Sequence, residues 1–182
     1  MQDVQELAET YSSMDAGEIL EDASSRFRGE IVFASSLSLE DNVIIDIMAS
    51  CAIKIPVVTL DTGRLPEETL QVADELRETY GVGIRVFFPN KNEIQELVDE
   101  KGFHSFRDSV DDRRECCRIR KINPLKRALE GMSAWITGLR QGQSVTRSSL
   151  EPAGWDESNN LVKINPLWNW TSRMVWDYVK KN

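Results

Sequence analysis

The sequence predicts an α/β fold built on a parallel sheet. Short apolar runs of strand length alternate with longer segments of helical apolar spacing, and this alternation is typical of βαβ units. The predicted strands span 30–35, 56–60 and 83–88. The predicted helices that follow them span 41–53, 66–80 and 92–101. The second of these helices begins with a proline and has acidic residues in its first turn, where the helix dipole favours them.

Further elements are predicted on both sides of this unit. Residues 3–28 are predicted to form two short amphipathic helices, with Ser13 or Asp15 as the cap between them. After Gly102 the pattern loosens into a polar, charged segment. Residues 138–160 show no sustained period, and a connection of that length is usually a functional loop. The later predicted elements are a helix at 123–130, a strand at 133–137, an edge strand at 161–164 and a last helix at 171–180.

Length and composition limit the classes of protein that this chain can represent. Its 182 residues predict a single domain over 1–182 with a core of its own. The apolar fraction of 41% and the charged fraction of 29% are those of an ordinary soluble globular protein. The net charge of −8 argues against nonspecific nucleic-acid binding, and no apolar run reaches transmembrane length. We therefore expect no nucleic-acid partner and no membrane partner.

The three cysteines indicate the redox compartment. Two of them are adjacent, so the chain has no disulfide framework, and the acidic, polar N-terminus is unlike a secretory signal. These features predict a reducing, cytoplasmic environment. The sequence leaves the oligomeric state open, a homo-oligomer included.

The most informative segment is 113–121, where Cys116 and Cys117 lie among five basic side chains. Adjacent cysteines rarely reach disulfide geometry without strain. Cationic neighbours favour the thiolate form, which is the form that binds soft metals. The alternative is a pair of small apolar residues in a core. Because the flanking residues are charged, we expect the pair to avoid apolar burial and to bind a metal or face an anion.

Polar side chains follow the first predicted strand where the next helix begins: Ser35, Ser36, Ser38 and Asp41. In an open parallel sheet, ligands bind beyond the carboxyl ends of the strands. Backbone N–H groups at a helix N-terminus also bind phosphate and sulfate. This segment is therefore a candidate anion site, and an ordinary serine-rich helix cap is the alternative.

Two further segments leave the same predicted edge of the sheet. Asp61 could accept a hydrogen bond from a ribose or a base, and Gly63 allows close backbone approach, although an Asp-capped turn has the same pattern. Residues 138–147 contain Arg140 and Arg147, which can hold an oxyanion by bidentate hydrogen bonds. Solvated loop arginines are the alternative there. The convergence of three such segments on one edge favours a ligand site.

Two other residues with reactive side chains are expected to be structural. His104 is the only histidine, and we predict it at a loop or surface position. Cys51 follows an apolar helical stretch and is predicted to be a packed small hydrophobic residue.

Taken together, these segments resemble the assimilatory adenylylsulfate (APS) reductases of the wider APS/PAPS reductase family. The resemblance runs from about residue 20 to residue 180, and the combination of segments is specific. The matching segments are 35–41, 60–66, 115–121, 138–147 and 163–171.

The resemblance implies an adenine nucleotide α-hydrolase-like, PP-loop-related, three-layer fold that binds adenosine 5′-phosphosulfate. In that family a cysteine thiolate attacks the sulfur, AMP leaves, and thioredoxin resolves the S-sulfocysteine to release sulfite for cysteine biosynthesis. The resemblance also implies that Cys116 and Cys117 are half of the four-cysteine ligand set of a [4Fe–4S] cluster. The Cys-Cys signature separates the APS-using branch from the PAPS reductases.

The same resemblance assigns binding roles to matching positions. The residues that it places at the nucleotide are Ser35, Ser36, Ser38, Asp41, Asp61, Thr62 and Gly63. The residues that it places at the phosphosulfate are Lys121, Arg140 and Arg147, with Gly138 beside them.

The sequence departs from the family pattern at Asn182, where the family continues to a Cys-x-x-Cys pair and a tail with the nucleophilic cysteine. We therefore expect a fragment of a longer enzyme that has no catalytic nucleophile of its own and is inactive alone. The alternatives are a truncated or degenerate nucleotide-binding module, a PAPS reductase, and a PP-loop ATP pyrophosphatase or adenylyltransferase subunit. The last is disfavoured because Leu37 and Leu39 replace glycines that would wrap a pyrophosphate.

Overall fold

The computed structural model describes residues 2–143 and 150–182. Within them lie eight α-helices and six β-strands. The helices are α1 (Gln2–Tyr11), α2 (Ala16–Arg26), α3 (Leu39–Ser50), α4 (Glu67–Tyr80), α5 (Lys91–Lys101), α6 (Val110–Cys117), α7 (Asn123–Ala128) and α8 (Ser172–Lys181). The strands are β1 (Ile31–Ser35), β2 (Val57–Leu60), β3 (Ile84–Phe87), β4 (Ala134–Ile136), β5 (Ala153–Asp156) and β6 (Leu161–Ile164).

The strands form one mixed sheet with the order β3-β2-β1-β4-β6-β5. All neighbouring pairs are parallel except β5 and β6, which are antiparallel. The chain runs from β1 outward to β3 and then returns to the other side of β1 with β4. The crevice between the carboxyl ends of β1 and β4 is therefore the switch point at which such sheets bind ligands.

Three layers result because side chains alternate along each strand. In β1, Ile31 and Phe33 pack into the large core with α1, α2, α3, α4 and α8. Val32 points the other way and packs in a second cluster with Ala128 of α7. The predicted α/β fold with a three-layer arrangement is confirmed, with the correction that one strand of the sheet is antiparallel.

The N-terminal helices follow the predicted capping pattern. Asp15 caps α2 in a capping box, since its carboxylate accepts from the Glu18 N–H and the Glu18 side chain accepts from the Asp15 N–H. The prediction of two short helices with a cap near Asp15 is confirmed.

One prediction for the second half of the chain is wrong, and two elements there were not predicted. The polar segment after Gly102 contains α6, which no apolar period reveals because most of its residues are charged. Ser109 caps its N-terminus, and Asp111 pairs with Arg114 at 3.2 Å. The strand at 161–164 is not an edge strand: β6 lies between β4 and β5, and β5 is the edge. β5 was missed because it lies in the span 138–160, whose sequence shows no strand period.

The described helices include none that combines the length and the apolar character required to cross a bilayer.

Candidate functional site

Loops from four parallel strands meet at the carboxyl edge of the sheet. They follow β1, β2, β4 and β6, which share one direction. The first two loops are residues 36–38 and 61–66. The β4 and β6 ends are joined by the Thr137 hydroxyl, which donates to Asn165 Oδ1 over 2.6 Å. This edge contains most of the residues predicted from the sequence to bind a ligand.

Asp41 shapes the serine loop that follows β1. Its Oδ2 accepts from the Ser36 N–H at 2.6 Å and from the Ser36 hydroxyl at 2.7 Å. Burial raises the pKa of Asp41 above its ordinary value, while hydrogen bonds from Ser36 and Ser38 lower it by less. Asp41 therefore acts inside the protein and holds the loop rather than reaching into solvent.

Leu37 lies at the tip of this loop with a φ of 62°. That left-handed conformation favours glycine, and a leucine there stores strain of about 1–3 kcal/mol. The Leu37 N–H donates to the Ser35 hydroxyl at 3.0 Å, which holds the conformation. The loop thus keeps a glycine-like turn without the glycine.

Gly138, in the loop after β4, packs directly against Asp41. A Cβ built on Gly138 would lie 2.0 Å from Asp41 Oδ1, so no side chain fits there. The glycine is therefore required by the close approach of the β4 loop to the N-terminus of α3.

Glu40 and Arg140 form a buried ion pair between the same two segments. The Arg140 Nε donates to Glu40 Oε1 at 2.7 Å, and each side chain is only 11% exposed. Burial raises the pKa of Glu40, but hydrogen bonds from Arg140, the Glu40 backbone and Gln143 together hold it below the ordinary value. Glu40 was not identified from the sequence, since only the partner across the fold gives it significance.

The turn after β2 is held by Arg120, which lies in the segment 113–121 that contains the two adjacent cysteines. The Asp61 carboxylate accepts from the Gly63 N–H at 2.8 Å, so Asp61 caps its own turn. Arg120 is buried, and its Nη1 donates to the Thr62 carbonyl at 2.7 Å. Gly63 adopts a φ of 69° above this guanidinium. Arg120 is a further residue that the sequence did not single out.

A π-helical turn places Arg120 in this position. It spans Arg118–Ile122 and joins α6 to α7, and both Ile119 and Arg120 are buried in it. Such turns recur at functional sites because they redirect side chains that a regular helix would point elsewhere. Lys121, the next residue, is exposed and faces the ligand edge.

We use the name nucleotide cavity for a pocket of about 280 Å³ that is open at this edge. Its walls are mostly apolar, its rim has the serine loop and Thr62, and Lys121 closes one side. The residues that line it are Ala34, Ser35, Ser36, Val58, Leu60, Thr62, Leu65, Lys121, Leu125 and Trp135. Apolar walls with a polar rim suit a flat heterocycle that carries a charged tail.

We use the name cysteine cavity for a neighbouring pocket of about 300 Å³. It shares Thr62, Leu65 and Lys121 with the nucleotide cavity, so the two are adjacent. Its lining residues are Thr62, Arg64, Leu65, Phe106, Arg113, Cys116, Cys117, Arg120 and Lys121. This lining includes four cationic side chains and no carboxylate, which makes the cavity suitable for anions and thiolates.

The two thiols differ in exposure. Cys116 is 8% exposed and packs with Leu97 and Ile119, whereas Cys117 is half-buried. The expectation that flanking charge keeps the pair out of apolar surroundings is therefore wrong for Cys116. A helical segment has an inner face, and Cys116 and Ile119 are three residues apart on it. Both cysteines line the cysteine cavity, and the anion-facing or metal-binding role stays a prediction.

The donor set fits half of a [4Fe–4S] cluster. Such a cluster takes four thiolates, and the cysteine cavity has two. Among the described residues no group of three or more histidine, cysteine or acidic side chains could hold a metal ion. Cys51 cannot join them, because it lies with Gly29 and Pro56 at the amino edge of the sheet. The residues of this chain fit two corners of a cluster and do not complete it.

The remaining predicted residues have different outcomes. Cys51 is exposed at the C-cap of α3, so its predicted packing is wrong, because the helix ends one residue earlier. His104 is exposed beside a short 3₁₀ turn, as predicted. Arg140 lies behind the serine loop and is not among the residues that line the two cavities. Arg147 lies outside the described residues.

The comparisons with known proteins agree with the resemblance read from the sequence. The family model named phosphoadenosine phosphosulfate reductase domain matches residues 30–182. Adenosine 5′-phosphosulfate reductase of Allochromatium vinosum is 47% identical over 150 residues, which are 82% of this chain and 59% of that protein. The enzyme of the same name from Burkholderia cepacia is 41% identical over 175 residues, 96% of this chain and 69% of that protein. The chain thus spans between 59% and 69% of the length of these two relatives.

The fold also has a close match among solved structures. The phosphoadenylyl-sulfate (PAPS) reductase from Candida auris, solved as a phosphate complex, has a TM-score of 0.84 and 24% sequence identity. The match covers 98% of this chain and 85% of that chain. The adenine nucleotide α-hydrolase-like fold expected from the sequence is confirmed by this match. The domain match and the relatives together establish that this chain belongs to the APS/PAPS reductase family.

Proposed function

We propose that this chain is the nucleotide-binding part of a reductase that converts adenosine 5′-phosphosulfate to sulfite and AMP. The observation that carries the proposal is the adjacency of the nucleotide cavity and the cysteine cavity, with Lys121 in the wall of both. The names of the relatives, which are 41–47% identical, support the same substrate.

The nucleotide cavity suits the adenosine end of the substrate. Its apolar wall contains Trp135 and Leu125, and burial of a purine against such a surface is favourable. The Trp135 Nε1 is buried without a hydrogen-bond partner among the described residues. We propose that Ser35 and Ser36, which also line this cavity, contact the 5′-phosphate.

We propose that cationic side chains bind the phosphosulfate group. Lys121 lies between the two cavities, so an anion that extends from the nucleotide cavity toward the cysteines passes it. Arg64 and Arg113 line the cysteine cavity beyond it. We propose Lys121 as the first binding residue for the phosphosulfate, with Arg140 and Arg147 as further cationic groups.

The reaction that we propose follows the chemistry of the family. A cysteine thiolate attacks the sulfur, the bond from sulfur to the phosphate oxygen breaks, and AMP leaves with the electron pair. A dithiol such as thioredoxin then reduces the S-sulfocysteine, which releases sulfite and leaves a disulfide on the reductant. Cys51 is at the opposite edge of the sheet, so we propose that the attacking cysteine is not one of the three in this chain.

We propose that Cys116 and Cys117 contribute two of the four thiolates of a [4Fe–4S] cluster. Near a substrate sulfate, such a cluster would supply electrostatic and redox tuning. The cationic lining of the cysteine cavity supports this role, since it stabilises bound thiolates. Because this chain has only two of the four thiolates, we also propose a second candidate function: a protein that binds the nucleotide through the same cavity but does not reduce it.

Calorimetric titration with APS, AMP, PAPS and GMP tests the proposed function. We expect APS to bind most tightly and GMP not to bind, and tighter binding of PAPS would overturn the assignment. Lys121→Ala should weaken APS binding by about 10–100-fold and AMP binding less, because loss of a charge-assisted hydrogen bond costs about 1.5–3 kcal/mol. Lys126→Ala is the matched control, as this lysine is exposed and lines a different pocket.

A sulfite assay separates the two candidates. With APS, thioredoxin and reductant, release of sulfite by the protein expressed from its complete gene, in a manner that depends on Cys116 and Cys117, supports the reductase. Nucleotide binding without sulfite release by the protein expressed from its complete gene would support the binding-only alternative.

A further inference from the structure

A short segment closes one side of the cysteine cavity. Residues 103–107 follow α5 and contain the 3₁₀ turn Ser105–Arg107, which packs against α6. We name residues 103–107 the cover segment. Its Phe106 lines the cysteine cavity and also packs against a buried cluster, whose members are Leu97, Cys116 and Ile119. Phe106 is therefore one of the side chains that keep the Cys116 thiol buried.

Arginines from two other elements hold the cover segment. Arg64, in the turn after β2, donates through Nη2 to the Phe103 carbonyl. Its guanidinium also lies 4.6 Å from the centroid of the Phe106 ring. Arg113 of α6 donates through Nε to the Phe106 carbonyl at 3.5 Å. Both arginines line the cysteine cavity, so the residues that hold the cover segment are also placed to contact an anion in the cavity.

Local features of the cover segment favour its opening. The Arg107 N–H donates to the His104 carbonyl at 2.9 Å, within the turn itself. The Asp108 N–H donates to the Ser105 carbonyl at 2.9 Å, again within one turn. Of the five residues of the cover segment, Ser105 is buried, Phe106 is half-buried and the other three are exposed. Segments with local hydrogen bonds and few buried side chains open at a lower free-energy cost than the core.

Positive charges oppose the closed arrangement. The Arg107 guanidinium lies 5.4 Å from the centroid of the same Phe106 ring that Arg64 contacts, and Arg113 contacts the carbonyl of that residue. The cavity lining includes no carboxylate to balance them. Repulsion between like charges destabilises such a cluster, and a bound anion removes part of that repulsion. Among the described residues, the cover segment takes only Nη2 of Arg64 and Nε of Arg113, so other N–H groups of both remain for an anion.

We infer that the cover segment closes over Cys116 and that an anion bound in the cysteine cavity holds it closed. Anion binding and access to the buried thiol are then coupled, because Arg64 and Arg113 contact both the cover segment and the anion. The closed segment excludes water and small reagents from the thiol while the cavity is occupied. The inference does not depend on the proposed function, since neither a nucleotide nor the reduction of a substrate enters it.

Alkylation of the metal-free chain by iodoacetamide tests the inference. The reagent is neutral, and tandem mass spectrometry gives the rate at each cysteine. The ratio of the Cys116 rate to the Cys117 rate reports the cover segment, because both thiols line one cavity and a bound anion shifts the thiolate fraction of both. In the wild-type chain, inorganic sulfate should lower this ratio at least about 3-fold relative to chloride at the same ionic strength. A ratio that sulfate leaves unchanged would overturn the inference.

Three variants locate the effect. Phe106→Ala should raise the ratio at least about 10-fold without sulfate, because it removes the ring that packs against Cys116. Arg64→Gln should also raise the ratio, and sulfate should no longer lower it. Arg107→Gln is the matched control, since Arg107 contacts the same ring but is not among the residues that line the cavity. Loss of the sulfate effect in Arg107→Gln, or its retention in Arg64→Gln, would overturn the role of the cavity arginines.

Gly138→Ala separates opening of the cover segment from unfolding of the chain. A Cβ at this position collides with Asp41, so the variant is expected to be less stable, but it leaves the cover segment unchanged. Its ratio should equal that of the wild type, and circular dichroism verifies that every variant is folded. A rise as large as that of Phe106→Ala would mean that Cys116 is reached by unfolding, and the inference would fail.

Hydrogen exchange gives a readout that involves no thiol chemistry. Sulfate should slow exchange of the Arg107 and Asp108 N–H groups in the wild-type chain, because it shifts the cover segment toward its closed state. The same addition should have no effect on these groups in Arg64→Gln. Equal exchange in sulfate and in chloride for the wild-type chain would contradict an anion-dependent cover.

Discussion

The two halves of the candidate site are held in different ways. At the serine and β4 loops, Glu40, Asp41, Gly138 and Arg140 are buried and contact one another directly, by an ion pair of 2.7 Å and by backbone packing. At the cysteine cavity, four cationic side chains and two thiols share a pocket, and the pocket lining has no carboxylate to balance them.

This difference indicates which half of the site keeps its conformation when no ligand is bound. The loop half, which consists of the serine and β4 loops, pairs most of its charges internally, so it can hold its shape without a bound anion. The cysteine half, which consists of the residues that line the cysteine cavity, brings several positive charges together. Their mutual repulsion destabilises the fold, and a bound anion or thiolate cluster would offset that repulsion. The first half is therefore expected to contribute to folding stability, and the second to ligand-dependent stability.

The largest effect is expected for Arg140→Ala, which breaks the internal pairing of the loop half. Glu40 would remain buried without its partner, and the free energy of unfolding should fall by about 3–5 kcal/mol in urea titration at pH 7. The deficit should shrink at acidic pH. The folded pKa of Glu40 is lowered in the wild type, so its contribution is present above the ordinary value and is lost as pH falls through the folded value.

Arg173→Ala is the control for this prediction. Arg173 is 90% exposed and pairs with Asp177 on α8 at 3.5 Å, so its loss should cost less than about 1 kcal/mol. Similar losses for the two variants would contradict the view that the loop half is locked by its ion pair.

Gly138→Ala should have a somewhat smaller effect in the same half. The added Cβ would collide with Asp41 Oδ1, and such overpacking costs about 1–3 kcal/mol. Because Asp41 also holds Ser36, AMP affinity measured by calorimetry should fall together with the unfolding free energy. Gly83→Ala is the matched control, since a Cβ there meets no atom within 4 Å. Unchanged AMP binding in Gly138→Ala would show that the loop tolerates movement of Asp41.

Arg120→Ala is expected to have the smallest effect on stability, because it lies in the cysteine half. It removes the hydrogen bond of 2.7 Å to the Thr62 carbonyl, worth about 1.5–3 kcal/mol when the donor is charged. Relief of repulsion from Lys121 and Arg113 should offset part of that loss. Arg113→Ala, in the same cavity but exposed, should be neutral or stabilising when no ligand is bound. Thermal unfolding with and without AMP measures the stability of both variants. An equal loss of stability in Arg120→Ala and Arg113→Ala would remove the distinction between the halves.

The elements that could be predicted from the sequence are those with a strong apolar signal. β1 and β2 are short and mostly buried apolar runs, and α3 has an apolar repeat, so local pattern and burial agree. β3 is a short run in which Ile84 is buried and Arg85 is exposed. α6 was missed because its residues are mainly charged, and its N-terminus is set by the Ser109 cap. β5 was missed because it is short and takes its place only by pairing with β6.

The site shows the same division. The sequence singled out Ser35, Asp41 and both cysteines as candidates, because chemistry-bearing residues at strand ends and an adjacent cysteine pair are visible in the order of residues. Lys121 became a candidate through the family resemblance. The sequence did not identify Glu40 or Arg120. Their partners, Arg140 and Thr62, are 100 and 58 residues away along the chain.

By itself, the sequence determined the class of the fold and the family, and it predicted the edge of the sheet at which a ligand would bind, since these follow from local apolar patterns and short motifs. Only the tertiary structure decided that Asp41 faces inward under Gly138, that Cys116 is buried while Cys117 is half-exposed, and that the charge of Arg140 is cancelled. The physical reason is that burial and charge compensation depend on distances between residues remote in the chain. Those distances exist only once the sheet order brings β1 beside β4.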